Sequence, residues 1–316
     1  MPRVLVNGVN LNVEVTGEGP ALVALHGFTG SLRTWDSLVQ AAAGRFTLVA
    51  VDLLGHGESD SPEDPSRYSM ERCTQDLIAL LDALGIERAG WLGYSMGGRI
   101  CLYLGVAAPD RCQALAVEGA SGGIVDEKER RARVKSDGAL ARMIEERGIE
   151  AFVDYWQSIP LFSSQRRLPE EARSGLRRQR LRNRARGLAG SLRGMGAGAQ
   201  PPLYDRLQSL ARPVLLMAGD EDTRYCDLAR QMGDSMSGGR VSIIPGAGHC
   251  AHLEQTGLFN EEVLEFFHSQ LEVVTKTLTP CIPLSLAKGE GEEIGLGDTP
   301  KPPPKSRPVE TLDRPN

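Results

Sequence analysis

Four short runs, residues 21–25, 46–51, 89–93 and 114–118, are apolar at nearly every position, and two of the gaps between them carry apolar residues at three- and four-residue spacing. Runs of this length are too brief for confident helices, and a strand with one wet face would alternate instead. They fit strands of a parallel sheet covered on both sides. Residues 69–84 and 97–108 have the helical spacing, with Tyr68-Ser69-Met70-Glu71 as a helix start. Strands alternating with helices predict an α/β fold with a doubly wound, mostly parallel sheet. A hairpin precedes it, because residues 3–6 and 11–15 alternate in hydrophobicity around Asn7-Gly8. The strand pattern returns at 213–218 and 240–244, and an amphipathic helix at 257–270 closes it.

The pattern is interrupted between residues 126 and 193. There 17 Lys and Arg face 10 Asp and Glu, so this stretch carries +7 while the rest of the chain carries −12. Its helical stretches, 128–147, 150–157 and 170–184, are rich in Arg, and a flexible glycine link at 194–198 follows. Residues 272–316 hold 8 of the 19 prolines and no aromatic residue, a composition that cannot offset the entropy of ordering. The expected organisation is therefore an α/β core of residues 1–125 and 194–271, a helical cap of 126–193 and a disordered tail of 272–316.

Composition narrows the function classes. The chain of 316 residues carries a net charge of −5, which is unsuited to nucleic acid as a partner. No apolar run reaches the ~18–20 residues of a membrane span, and the N-terminus has no apolar signal core. Cysteines 73, 101, 112, 226, 250 and 281 are scattered without a C-x-x-C pair, so they read as reduced thiols of a cytoplasmic protein. Neither a phosphate-cradling glycine loop nor a metal-ligand cluster is present, so no cofactor and no metal are expected.

Chemistry concentrates in Gly93-Tyr94-Ser95-Met96-Gly97-Gly98. A serine on a tight strand-to-helix turn needs glycines around it so that the backbone can bend without a Cβ clash. Gly119-Ala120-Ser121-Gly122-Gly123 also satisfies G-x-S-x-G, but it runs into a charged segment, whereas Ser95 lies between an apolar run and a helix. Ser95 is thus the candidate nucleophile or base, and Ser121 an ordinary loop residue. A serine near neutral pH needs an imidazole, and the imidazole needs a carboxylate. His249 stands in the glycine-rich loop Pro245-Gly246-Ala247-Gly248-His249 directly after the strand at 240–244. Asp222 follows the strand at 213–218, with Asp220 and Glu221 read as solvated turn residues. His252 reads as a packing neighbour, His268 as a surface residue, and His26 and His56 as structural. Backbone N–H groups of Phe28 and Met96 are the candidate oxyanion hole. Arg99, four residues after Ser95, shares its helix face, and a carboxylate-bearing substrate would gain a bidentate partner there.

His26-Gly27, Gly55-His56-Gly57, Gly93 through Gly97, Asp222 and His249 together resemble the α/β-hydrolase superfamily over residues 1–270. A narrower resemblance is to the 2-succinyl-6-hydroxy-2,4-cyclohexadiene-1-carboxylate synthases of menaquinone biosynthesis. It is carried by Gly93 through Arg99, Val117-Glu118-Gly119, Arg133 through Ser136-Asp137, Asp154-Tyr155-Trp156, Arg180-Leu181-Arg182-Asn183, Gly187-Leu188-Ala189 and Gly219 through Asp222 with Tyr225. That resemblance implies a lyase eliminating pyruvate from 2-succinyl-5-enolpyruvyl-6-hydroxy-3-cyclohexene-1-carboxylate. Ser95, Asp222 and His249 would be its triad. Arg99, Arg133 and Arg180 would grip carboxylates of this small anionic substrate, and Tyr94 and Trp156 would line the pocket. Arg182 competes with Arg180, and Tyr155 with Trp156. A serine esterase or C–C bond hydrolase using the same residues, and a non-catalytic ligand-binding member, are the other readings.

Overall fold

Eight strands form one sheet in the computed structural model, which describes residues 3–42 and 44–271. They are β1 (Arg3–Val6), β2 (Val9–Thr16), β3 (Ala21–Leu25), β4 (Thr47–Val51), β5 (Ala89–Tyr94), β6 (Cys112–Glu118), β7 (Val214–Gly219) and β8 (Gly239–Ile244), in the spatial order β1-β2-β4-β3-β5-β6-β7-β8. The β1–β2 pair and the β2–β4 pair are antiparallel, and every other neighbour is parallel. The hairpin is tighter than the sequence pattern suggests. Val6 pairs with Val9 across a two-residue turn in which Asn7 and Gly8 have φ of 45° and 81°, the mirror-image turn that matches strand twist.

Alternate side chains of the sheet feed opposite faces, as the uniformly apolar runs require. Val23 and Leu25 pack towards α2 (Met70–Ala83) and α3 (Met96–Ala107), after α1 (Asp36–Ala41) in chain order. Leu22 and Ala24 face the other side with Trp35 and Phe259. The α2 helix starts one residue inside the expected span, because Ser69 caps it by accepting from the Arg72 N–H.

Between β6 and β7 run α4 (Glu127–Ser158), a 3-10 segment (Pro160–Arg167), α5 (Glu170–Leu181) and α6 (Ala185–Met195). The break expected near 148 is present: Gly148 has φ 80° and ψ 174° inside α4. The proposed flexible link at 194–198 is not a link at its start. Gly194 and Met195 complete α6, and a Cβ at Gly194 would collide with the Tyr68 carbonyl oxygen. These glycines permit close packing of α6 on the core. Further on come α7 (Tyr204–Leu207), α8 (Thr223–Ser235), α9 (Ala251–Glu254) and α10 (Thr256–Gln270). Among the described residues no helix is long and apolar enough to cross a membrane. Cys73, Cys101, Cys112, Cys226 and Cys250 are buried and unpaired. Cys281 and the tail expected to be disordered, 272–316, lie outside the described residues.

Candidate active site

The β5–α3 turn places Ser95 at φ 50°, ψ −105°, a left-handed conformation that a residue with a Cβ adopts at a cost of ~1–3 kcal/mol. The surrounding glycines make it possible, since a Cβ at Gly93 would strike the Gly97 backbone and one at Gly97 the Leu25 carbonyl. The Ser95 N–H donates to the Glu118 carbonyl at 2.7 Å, tying the turn to the end of β6. Ser121 lies in the loop after β6, where its hydroxyl accepts from the Gly123 N–H at 3.4 Å.

The loop after β8 brings His249 over the turn. Its Nε2 lies 3.2 Å from Ser95 Oγ, and its Nδ1 lies 2.6 Å from Asp222 Oδ2. A Cβ at Gly119 would crowd the His249 ring, so this glycine clears room for the imidazole. Asp222 stands where β7 turns into α8. Asp220 is more than the solvated turn residue expected: its Oδ1 accepts from the N–H groups of Gly246 (2.8 Å) and Ala247 (3.3 Å), anchoring the loop that carries His249. Glu221 pairs at the surface with Arg167. His252 is buried and bonded through Nδ1 to Glu118 Oε2 at 2.7 Å, and its ring packs 4.5 Å from that of Tyr94. His268 is exposed on α10. His26 Nε2 accepts from the Leu53 N–H, and His56 packs against it with ring centroids 5.0 Å apart. Burial lowers the pKa of His26 and, with the neighbouring His26 adding to it, holds that of His56 well below the ordinary imidazole value.

Ser95 and His249 open into a cavity also lined by Phe28, Tyr94, Met96, Arg99, Arg133, Trp156, Phe162, Met195 and Tyr225. Met96 is the first residue of α3, so its N–H has no acceptor within the helix and is available beside Ser95. Trp156 stacks on Phe152 at 5.7 Å and meets Phe28 edge-on at 5.4 Å, while Tyr155 is half exposed. Of that pair, Trp156 is the pocket residue. The Arg99 Nη1 donates to the Met195 carbonyl at 2.9 Å, and Arg133 Nε pairs with Asp137 Oδ1 at 2.7 Å.

Arg180 is not brought into this cavity. It lines an adjoining one, where its guanidinium sits 5.2 Å above the Phe162 ring and donates to Gln165 Oε1 at 3.3 Å. The register of α5 turns Arg180 under Phe162, leaving that ring, Tyr94 and Phe28 as the shared wall of the two spaces. Arg182 lines a separate groove near Asn12 and Asp52. Tyr225, one turn of α8 beyond Asp222, carries its ring 4.7 Å from that of His249, a position the helical spacing from Asp222 signals. Among the described residues no cluster of three or more potential metal ligands occurs.

A strained serine between strand and helix, an imidazole, and an acid following the next-to-last strand define one class of protein. The chain belongs to the alpha/beta hydrolase fold family, whose model matches residues 20–256. Within it the similarity narrows to one group of enzymes. A relative from Bacillus subtilis (strain 168), provisionally named 2-succinyl-6-hydroxy-2,4-cyclohexadiene-1-carboxylate synthase, is 43% identical over 259 residues, 81% of this chain and 94% of its own length. The synthase of that name from Serratia proteamaculans (strain 568) is 30% identical over 78% of this chain and 92% of its own. The solved structure of MenH from S. aureus superposes with a TM-score of 0.78 at 32% identity, covering 82% of this chain and 98% of that one.

Proposed function

We propose that this chain eliminates pyruvate from 2-succinyl-5-enolpyruvyl-6-hydroxy-3-cyclohexene-1-carboxylate to give 2-succinyl-6-hydroxy-2,4-cyclohexadiene-1-carboxylate, a step of menaquinone biosynthesis, with Ser95 as the base. The observation that carries this reading is the hydrogen-bonded row Ser95–His249–Asp222 opening beneath two guanidinium groups. An enzyme acting on neutral esters gains nothing from setting such charge beside its serine, whereas a carboxylated substrate gains charge-assisted hydrogen bonds. The synthase relatives, covered over most of their length, support the same choice.

In the mechanism, Asp222 fixes the His249 ring and stabilises its protonated form, and His249 accepts the Ser95 proton. The Ser95 oxygen removes the acidic hydrogen beside the succinyl ketone. Negative charge gathers on that carbonyl oxygen, where the N–H groups of Phe28 and Met96 receive it. Collapse of the enolate forms a ring double bond at the succinyl-bearing carbon, shifts the existing ring double bond by one position and breaks the bond to the enolpyruvyl oxygen. Pyruvate leaves as its enolate and takes up the proton held by His249, which returns Ser95 and His249 to their starting states, so no acyl-enzyme intervenes. Arg99 and Arg133 hold carboxylates, and Tyr94 and Trp156 form the walls. The test is purified protein with the enolpyruvyl substrate, followed by pyruvate release. Turnover supports the reading. An acyl-enzyme burst with a p-nitrophenyl ester and no pyruvate would assign the protein to the esterases instead.

A further inference from the structure

The two arginines of the Ser95 cavity are held in opposite electrostatic states. Arg133 Nε lies 2.7 Å from a carboxylate oxygen of Asp137, and Asp137 is itself buried. Arg99 donates only to neutral acceptors: the Met195 carbonyl at 2.9 Å and the side-chain oxygen of Gln200 at 3.4 Å. Gln200 is fully buried, with its amide nitrogen donating to the Ser121 carbonyl at 3.1 Å. That bond decides which end of the amide turns to Arg99, since a nitrogen facing the guanidinium would leave two donors opposed. Burial lowers the Arg99 pKa to about 10, which leaves it charged at neutral pH. Among the described residues no carboxylate forms an ion pair with it, although the charge of Asp137 reaches it from beyond hydrogen-bond distance. A partly buried cation without a direct counter-charge is costly unless a ligand supplies one.

We propose that Gln200 and Asp137, neither of which lines the cavity, set its selectivity for anions. Gln200 holds Arg99 in place without neutralising it, and Asp137 pairs with Arg133, so of the two Arg99 offers a ligand carboxylate the less compensated charge. A glutamate at position 200 would keep an acceptor in the same place and cancel the charge. This inference rests on reading the cavity as a carboxylate site. It concerns equilibrium binding, so it is separable from the chemistry at Ser95.

The experiment measures by calorimetry the dissociation constants of succinate and its uncharged isostere succinamide for the full chain and three variants. Their ratio is the readout, because general damage to the pocket weakens both ligands alike. The wild-type chain is expected to prefer succinate by about tenfold or more, the scale of one desolvated charge–charge contact. Gln200→Glu should reduce that preference to about onefold. Gln200→Met, which removes the acceptor without adding charge, should retain it within about threefold. Asp137→Asn should raise it, since Arg133 is then uncompensated. If Gln200→Glu does not fold, Gln200→Met and Asp137→Asn decide between them. A wild-type chain without preference, equal losses in the two Gln200 variants, a preference abolished in Gln200→Met, or one unchanged or lowered in Asp137→Asn would each overturn the proposal. A wild-type chain that prefers succinate but releases no pyruvate would leave this inference standing and remove the proposed reaction.

Discussion

Ser95 is held in a backbone conformation that a serine does not choose for itself, and its reactivity depends on partners from two other parts of the chain. Replacing it by alanine should lower pyruvate release by at least about a thousandfold while leaving substrate binding close to normal. Pre-steady-state pyruvate detection checks this, and near-normal turnover would remove Ser95 from the mechanism. A second residue-scale consequence concerns His56, whose pKa burial holds well below its ordinary value of 6.5. Its folded form resists protonation, whereas the unfolded chain takes up a proton near pH 6.5. The contribution of His56 to stability is therefore complete above that pH and is lost as pH falls towards the folded-state pKa. The slope approaches about 1.4 kcal/mol per pH unit for one such group. Denaturant titrations from pH 8 to 5 should show this decline, and His56→Asn should flatten part of it; an identical profile in the variant would refute the assignment. The row Ser95–His249–Asp222 was legible at this scale because each member sits in a local signal: an elbow, a glycine loop after a strand, an acid after a strand. The loop-anchoring bond of Asp220 and the packing of Arg180 were not legible, because they depend on groups 26 residues away for the first and 15 for the second.

Packing of α6 against the core is the element-scale event that shapes the site. Gly190 and Gly194 let the helix lie on Tyr68, and the helix ends at Met195, whose carbonyl receives Arg99. Gly194→Ala should destabilise the protein by about 1–3 kcal/mol through a clash with rigid backbone. It should also raise KM more than it lowers kcat, because the displaced helix end carries the acceptor of Arg99 and not the triad. Thermal unfolding and steady-state kinetics test both, and a variant with wild-type stability and KM would contradict this account. Element positions followed from the sequence within a few residues wherever apolar period and caps agreed, as at β3, α2 and β7. The end of α6 did not, since a glycine reads as flexible until its neighbour is known.

Charge operates at the scale of the whole molecule. The excess of +7 in residues 126–193 is partly spent on ion pairs with the rest of the chain, such as Arg186 with Glu63 and Arg167 with Glu221. What remains still opposes a net charge of −12 on the rest of the chain and should draw an anionic substrate to the cap. Raising ionic strength from about 0.05 to 0.5 M should lower kcat/KM by roughly threefold to tenfold with little effect on kcat. Salt-independent kcat/KM would show that attraction beyond the cavity plays no part.

By itself the sequence determined the doubly wound sheet, which serine, histidine and aspartate come together, and the presence of a basic helical insertion. These rest on periodicity and on residues close in the chain to the elements that position them. Tertiary structure alone decided which insertion arginine borders the Ser95 cavity, and that a neutral amide holds Arg99. A guanidinium's role depends on the charge of whatever lies within about 4 Å of it. The neighbour of Arg99, Gln200, lies 101 residues distant, and only the folded chain brings it there; Asp137 lies 4 residues from Arg133, and only the folded chain sets that pair beside the Ser95 cavity.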